Sequence, residues 1–350
     1  MKKRLSLFIA FLMLPLLGQT VYASEGMSIT VQPILPENQR HKELSYFDLH
    51  MEAGQAEEID LKITNQLDET IQVEVAPHNA FTNNLGVIDY SQETPSLKTE
   101  KAHTLVSMLS EKQLVTLAPH EEKNVMFQLK MPADFLPGAV LGAFYVHQIE
   151  AGNTDKSENK VTISNDFSYV VGVKLSESDQ LLKPKLALKS VRAGVDESNH
   201  TSILAKIANQ EATIVRKLAI KSKVIEKGTS NVLYESMEED LSMAPYSSFD
   251  YAVSLENQEL KAGEYVVEFE VSDIDHNEWQ LKKELTIKKD EAKRFNQAAF
   301  DVEKEPFNVK WIYLLVGIIV VLLIGIGFLV VRIKKNEKKT ALKNNLKAVF

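Results

Sequence analysis

The segment Trp311–Val331 constrains this chain more than any other feature. It holds twenty-one consecutive residues without a charged side chain. A helix of that length is about 31 Å long, which matches the hydrocarbon core of a bilayer. Trp311 and Tyr313 fit an aromatic belt at one interface, and residues 332–350 carry seven Lys or Arg against one acid. The segment therefore predicts a transmembrane helix followed by a basic cytoplasmic tail, with a buried core helix as the alternative.

The first 23 residues predict a signal peptide. Lys2, Lys3 and Arg4 precede the apolar segment Leu5–Gly18, and Val21–Ala23 has the pattern of a cleavage site. Fourteen apolar residues are too few to span a membrane, although an uncleaved anchor is an alternative. Residues 24–310 are then expected outside the cell, with the charged segment 290–310 as a stalk above the membrane.

The predicted exterior is acidic and contains no cysteine. Residues 25–309 have a net charge of −18, whereas the whole chain has −8 because both of its ends are basic. An acidic surface argues against nucleic acid as a partner, since nucleic acid would require a basic patch. Without cysteine, stability must come from hydrophobic cores, and about 285 residues are enough for two domains.

Residues 24–180 predict a first domain made of β-strands. In Glu57–Thr64, apolar residues alternate with polar ones, which is typical of a strand with one buried face. The continuously apolar segment Gly138–Ile149 is typical of a central strand, and Ser91–Glu111 permits a short helix. Further strands are predicted at Ser28–Gln32, Ile71–Val75, Val125–Met131 and, as one or two strands, Val161–Leu175.

Residues 181–289 predict a second domain of the same kind, after a polar join at Glu177–Lys185. Seven short strands separated by turn signals are typical of an immunoglobulin-like sandwich. They are predicted at Leu186–Val191, Ser202–Ala208, Leu218–Ile225, Val232–Tyr234, Phe249–Leu255, Tyr265–Ser272 and Trp279–Ile287. We therefore expect an all-β exterior of two tandem immunoglobulin-like β-sandwich domains, followed by the transmembrane helix.

The sequence contains no motif of a catalytic centre. Its eight histidines are scattered, and it has no H-E-x-x-H motif, no G-x-S-x-G motif and no phosphate-binding glycine loop. We therefore expect a protein that is not an enzyme and that holds no cofactor and no resident metal.

One group of acidic and amide residues has the spacing of a calcium loop. Asp273, Asp275, Asn277 and Glu284 occupy positions 1, 3, 5 and 12 of an EF-hand. Position 6, which requires glycine, is Glu278, and strand alternation continues through the second half of the loop. The pattern favours a β-hairpin, with incidental calcium binding as the alternative.

Several short segments, in this order, resemble the WxL-interacting proteins of Gram-positive bacteria. In the first domain they are Ser28–Pro33, Pro36–Gln39, Tyr46–Leu49, Gly54-Gln55, Thr82–Gly86 with Ile88 and Tyr90, Val115–Pro119, Met131-Pro132 and Gly138–Gly142. In the second domain they are Pro184–Leu186 and Ile207–Asn209. The resemblance also includes the signal peptide, the final helix and the basic tail.

The resemblance implies an N-terminal peptidoglycan-binding module and a C-terminal module that binds host factors. It also implies association with WxL-domain proteins at the cell surface. Trp279-Gln280-Leu281 has the pattern W-x-L itself, but it lies in a predicted strand, and we interpret Trp279 as a core residue.

The function expected from these features is that of a membrane-anchored, non-enzymatic adaptor. Its partners would be peptidoglycan, WxL-domain surface proteins and host extracellular proteins, bound by loops or by an open sheet edge. Glycan contact is expected at Asn38, Gln39, Asn83 and Asn84, with Tyr90 as a stacking face, and turn formation is the alternative for the Asn83-Asn84 pair. A sensor that acts through a membrane partner and a cell-wall hydrolase are the alternative functions.

Overall fold

The computed structural model describes residues 28–93, 103–134, 136–149, 167–178 and 182–300. The expected signal peptide (1–23), transmembrane helix (311–331) and cytoplasmic tail (332–350) lie outside these residues. Among the described residues, no helix has the length and apolar character needed to cross a membrane.

The first sandwich is formed by the described residues before Ser178. It contains β1 (Ile29–Ile34), β2 (Phe47–His50), β3 (Ala56–Asn65), β4 (Ile71–Asn79), β5 (Phe81–Thr82), β6 (Ile88–Asp89), β7 (Gln113–Leu117), β8 (Glu122–Lys130), β9 (Ala139–Ile149) and β10 (Ser168–Ser176), with the short helix α1 (Leu105–Met108) before β7. One sheet has the order β1-β3-β8 and the other the order β2-β10-β9-β4-β7, while β5 and β6 pair as a separate ribbon. β2 runs parallel to β10, and the other neighbours are antiparallel.

The second sandwich follows in the described residues from 186 onward. It contains β11 (Leu186–Val195), β12 (Thr201–Asn209), β13 (Val215–Glu226), β14 (Val232–Met243), β15 (Ser248–Ser254), β16 (Gly263–Ser272) and β17 (Glu278–Ile287), and the helix α2 (Lys289–Ala298) comes after them. Its sheets have the orders β11-β12-β15 and β14-β13-β16-β17, with antiparallel neighbours throughout. The all-β fold expected for the exterior is confirmed in these residues.

The alternation of apolar and polar residues explains most of these strands. In β3, Ile59, Leu61 and Ile63 are buried while the residues between them stay partly exposed. β9 occupies the middle of its five-stranded sheet, as its continuous apolar segment predicted. The predicted short helix is α1, whose Leu105 and Met108 are buried. Part of the predicted strand Val161–Leu175 forms β10, and residues 161–166 lie outside the described residues.

The predicted hairpin after β16 is also confirmed. The carboxylate of Asp273 accepts hydrogen bonds from the backbone N–H groups of Asp275 and Asn277, at 3.0 and 2.9 Å. Glu284 lies on β17, where it accepts a hydrogen bond from Lys227 at 2.7 Å. Trp279 is half-buried against the second core, in agreement with its interpretation as a packing residue.

Each sandwich has its own hydrophobic core. The first core includes Phe47, Phe127 and Phe144, and the second is centred on Tyr251 and Phe269. Helix α2, in the segment expected to begin a stalk, packs against the second core through Ala292 and Phe295. Asn296 fixes the helix further, because its side chain accepts a hydrogen bond from the N–H of Leu260 and donates one to the carbonyl oxygen of that residue, at 2.9 and 3.0 Å.

The β5–β6 ribbon of the first sandwich docks against the second sandwich. The buried hydroxyl of Thr82 accepts a hydrogen bond from the N–H of Ala244 at 3.0 Å and forms another with the hydroxyl of Ser247. The carbonyl oxygen of Gly86 accepts a hydrogen bond from the N–H of Ser242 at 2.7 Å. Buried polar groups of one sandwich are therefore satisfied by the other, and we call this contact the joint.

A second contact at the joint brings two backbones together. The N–H of Ala139 donates to the carbonyl oxygen of Ala212 at 2.8 Å. Gly138, beside it, has a φ of 79°, and a Cβ there would lie 2.1 Å from the same carbonyl oxygen. Only glycine therefore permits this close approach without a shift of the backbone.

Gly138→Ala should destabilise the protein more than Gly54→Ala. Gly54 also has a positive φ, 73°, but a Cβ there would meet nothing within 4 Å. Both substitutions carry a conformational cost of about 1 kcal/mol. Gly138→Ala adds a steric clash, typically about 1–3 kcal/mol. Urea unfolding of the purified variants measures the difference, and equal losses at the two positions would contradict this account of the joint.

Candidate functional site

An aromatic surface lies on the outer side of the five-stranded sheet. Along β9, Phe144 and Val146 point into the core, so Tyr145 and His147 point outward. The ring of His78, on the neighbouring strand β4, stacks on Tyr145 with 5.0 Å between centroids and 6° between planes. The rings of Tyr145 and His147 lie 5.7 Å apart. Val170 of β10 is paired directly with Tyr145 and is 46% exposed, so it extends this surface.

Two tyrosines from the connecting segments complete the cluster. His78 donates a hydrogen bond through Nδ1 to the carbonyl oxygen of Tyr90 at 2.7 Å, which holds the segment after β6 against the sheet. Burial, together with the nearby Tyr46, raises the pKa of Tyr90 to about 12. Tyr46 lies over Gly172, where an added Cβ would be 3.5 Å from the Cβ of Tyr46. We call Tyr46, His78, Tyr90, Tyr145 and His147 the aromatic face.

Ion pairs lie on both sides of the aromatic face. On one side the buried carboxylate of Asp48, two residues after Tyr46, forms an ion pair with Nζ of Lys174 at 3.0 Å and contacts His41 at 3.1 Å. On the other side Glu74, paired with His147 across the sheet, contacts Nζ of Lys112 at 3.2 Å. The hydrogen bond to Glu74 raises the pKa of Lys112. The face thus combines ring surfaces, suited to stacking, with hydrogen-bonding groups at its margins.

Two of the amide residues expected to contact glycan hold a loop of the protein itself. Gln39 is 5% exposed, donates to the carbonyl oxygens of His41 and Tyr46 at 3.0 Å each, and accepts from the N–H of Asp48. Asn38 donates to a carboxylate oxygen of Glu57 and to the carbonyl oxygen of His50. The side chain of Gln39 therefore positions the loop that carries Tyr46.

Asn83 and Asn84 lie at the tip of the β5–β6 ribbon. The side-chain oxygen of Asn83 accepts hydrogen bonds from the N–H groups of Leu85 and Val87, both at 3.1 Å, which is the turn formation considered from the sequence. Asn84 accepts from the N–H of Asp250 at 3.0 Å and donates to Glu197 at 2.6 Å, so its amide binds the second sandwich.

The five expected contact residues therefore do not converge on one surface. Tyr90 lies in the aromatic face, Gln39 supports it, and Asn84 belongs to the joint. Sequence reasoning missed Tyr46, His78, Tyr145 and His147. The alternation of Tyr145 and His147 with Phe144 and Val146 was a usable signal, but the long apolar segment around them obscured it.

Comparison with solved structures gives likenesses at low identity. A chaperone–tip adhesin complex of CFA/I fimbriae biogenesis has 12% identity and a TM-score of 0.30, with 73% of this chain and 97% of that chain covered. The E. coli chaperone DraB has 14% identity and a TM-score of 0.26, with coverages of 74% and 97%. These TM-scores lie below 0.5, so no function follows from them. Comparison with curated proteins gives no match.

Protein-family models match most of the chain. Residues 29–148 match the model described as "WxL Interacting Protein, peptidoglycan binding domain". Residues 158–297 match the model described as "WxL Interacting Protein, host binding domain". The second match begins before β10, although in the structure this strand lies between β2 and β9 of the first sandwich. The order of both matches agrees with the resemblance found in the sequence, and the chain belongs to the WxL-interacting protein family.

Proposed function

We propose that this protein is a non-enzymatic adaptor of the cell surface, anchored in the membrane by residues 311–331. Its first sandwich binds peptidoglycan, its second binds host extracellular proteins, and WxL-domain surface proteins are its partners. Both sandwiches are immunoglobulin-like domains, with limits near 24–180 and 181–289. The two family matches support these roles, and the aromatic face is the observation that carries the assignment to the first sandwich.

The aromatic face has the chemistry that a glycan strand requires. Sugar rings present C–H groups that pack on aromatic ring faces, and Tyr145, His147 and Tyr46 provide such faces at the surface. The phenol of Tyr90, with its raised pKa, keeps its proton over the physiological range and can donate a hydrogen bond. Lys174 and Lys112 at the margins are paired with Asp48 and Glu74, and each ammonium group has further N–H donors for the amides and carboxylates of the peptide stems. Of the five residues expected from the sequence to contact glycan, we keep Tyr90 in the proposed binding surface.

Electrostatic attraction is a poor explanation for such binding. The exterior, residues 25–309, has a net charge of −18, and the phosphate-bearing polymers of a wall are also negative. Short-range stacking and hydrogen bonds must therefore supply the affinity, with charge repulsion working against the encounter.

Tyr145→Ala should reduce binding of the purified protein to isolated sacculi about 5- to 10-fold, since stacking of one ring contributes about 1 kcal/mol. Tyr145→Phe keeps the ring and should bind nearly as the parent does. The matched control is Met126→Ala, which removes a 48% exposed side chain from β8 on the other sheet.

The same pull-down at about 0.05 and 0.5 M salt tests the nature of the contact, because higher salt screens charge repulsion. Binding should be unchanged or stronger at the higher concentration. A steep loss of binding at 0.5 M, or equal binding by Tyr145→Ala and the parent, would contradict the proposed use of the aromatic face.

Tyr90 should make the protein sensitive to alkaline pH. Its folded-state pKa is about 12, whereas an unfolded tyrosine titrates near pH 10, so the folded state holds this proton more tightly. The resulting stability is fully present below about pH 10 and is lost as the pH rises towards 12. Tyr90→Phe should therefore lose less unfolding free energy than the parent between about pH 9 and 11, measured by urea titration. Tyr145→Phe is the control, and an identical loss for Tyr90→Phe and the parent would argue against the burial of Tyr90.

The proposed anchor gives a topological prediction. Protease added to wall-stripped cells should degrade residues 24–310 and leave a small membrane-protected fragment with the C-terminal tail, because the basic residues after Val331 orient the helix. Immunoblotting with a C-terminal tag detects this fragment. Protection of either sandwich would overturn the proposed orientation.

A further inference from the structure

A cleft of about 480 Å³ lies between the tip of the β5–β6 ribbon and the second sandwich. Its floor is the outer side of the sheet β11-β12-β15, and Leu85 of the first sandwich forms one wall. Phe295 of α2 and Glu238 of β14 form parts of the rim. The cleft therefore depends on the joint, because residues of both sandwiches line it.

One glycine makes room for an apolar side chain in the floor of the cleft. The side chain of Leu204 lies beside Gly194 of β11. A Cβ on Gly194 would be 2.6 Å from Cδ1 of Leu204. With glycine there, Leu204 packs beside β11 and is 7% exposed, next to Ala252 of β15. At the margin Leu85 is 66% exposed, so the cleft offers apolar contact both on its floor and on its wall.

The charged groups of the cleft are mainly acidic. Asp196, Glu197, Glu238 and Asp250 line it, against one basic residue, Arg192. Arg192 already forms an ion pair with Asp250 at 2.8 Å, and the carboxylate of Glu197 accepts a hydrogen bond from the side-chain amide of Asn84. Glu238 forms no ion pair within the described part of the chain, and burial raises the pKa of its carboxyl group. A ligand that brings a positive charge to Glu238 would thus complement the cleft.

We propose that this cleft binds an extended segment of a partner protein in which a Lys or Arg side chain adjoins an apolar one. The basic group pairs with Glu238, and the apolar side chain packs between Leu204 and Leu85. The inference rests on the proposed function in one respect only, that the second sandwich binds proteins outside the cell. It adds the location of the site, the chemistry of the segment and the participation of the first sandwich.

The test uses the purified full chain in detergent and two fluorescein-labelled probe peptides, acetyl-Ala-Leu-Lys-Leu-Ala and its Glu analogue at the central position. Fluorescence anisotropy should show that the Lys peptide binds at least 10-fold more tightly than the Glu peptide at low salt, with a smaller difference at about 0.5 M salt. Equal affinity for the two peptides, or no binding of either at millimolar protein, would overturn the proposal.

Two pairs of variants locate the site. Glu238→Gln should weaken binding of the Lys peptide about 3- to 10-fold, whereas Glu239→Gln, at the next residue of β14 and outside the cleft, should not. Leu85→Ala should weaken it by a similar factor, whereas Val87→Ala, 50% exposed on the same loop but outside the cleft, should not. Unchanged binding in both Glu238→Gln and Leu85→Ala would place the peptide elsewhere and reject the cleft.

Sacculus binding is measured on the same preparations. An unsubstituted protein that binds sacculi but shows no preference for the Lys peptide would reject the cleft and leave the adaptor function intact. An unsubstituted protein that shows the Lys-peptide preference but does not bind sacculi would reject the role of the first sandwich and leave the cleft intact.

Discussion

The hydrogen bonds of Thr82 are the interaction on which the arrangement of both sandwiches depends. Ser247 donates its own hydroxyl hydrogen to the carbonyl oxygen of Ala244 at 2.8 Å, so the hydroxyl of Thr82 must donate to Ser247 while it accepts from the N–H of Ala244. All these groups are buried. A buried polar group left without a partner costs about 1–3 kcal/mol, so separation of the sandwiches is opposed unless water replaces the lost bonds. The small side chains of Thr82 and Ser247 thereby fix the β5–β6 ribbon against β14 and β15.

The segment from His78 to Tyr90 connects the three surfaces described above. His78 and Tyr90 belong to the aromatic face, Thr82 and Gly86 form the joint, and Leu85 lines the cleft. This segment consists mainly of the short strands β5 and β6 and the turn that joins them. A displacement of the ribbon would therefore change the cleft and the segment that carries Tyr90 together. Both surfaces thus depend on the same backbone segment, which is a physical connection between them.

The strands could be predicted from the sequence far better than the surfaces. Alternation located β3 and the strands of the second sandwich, and a continuous apolar segment located β9, because burial of a sheet face acts on each residue locally. It predicted only Val232–Tyr234 of β14, which runs to Met243, because an edge strand can carry successive acids that resemble a solvated loop.

β2 was missed for a different reason. It is four residues long and is held by parallel pairing with β10, more than a hundred residues later, and no local pattern records that contact. The aromatic face was missed in the same way, since its rings come from β4, β9 and two connecting segments.

The exposed acids of the second sandwich differ in whether a basic side chain neutralises them. On the sheet β14-β13-β16-β17, lysines pair with acids on adjacent strands: Lys221 with Glu235, Lys223 with Glu270 and Lys282 with Glu268. Such exposed pairs contribute only about 0–1 kcal/mol each to stability. Their larger effect is to neutralise these three acids locally, because each of the three has a lysine within 4 Å. In the cleft, Glu197 after β11 and Glu238 on β14 have no Lys or Arg partner among the described residues. An approaching basic segment therefore finds carboxylates without a cationic partner in the cleft, whereas these three acids of the sheet already have lysine partners. Charge thus favours docking at the cleft before any apolar contact forms.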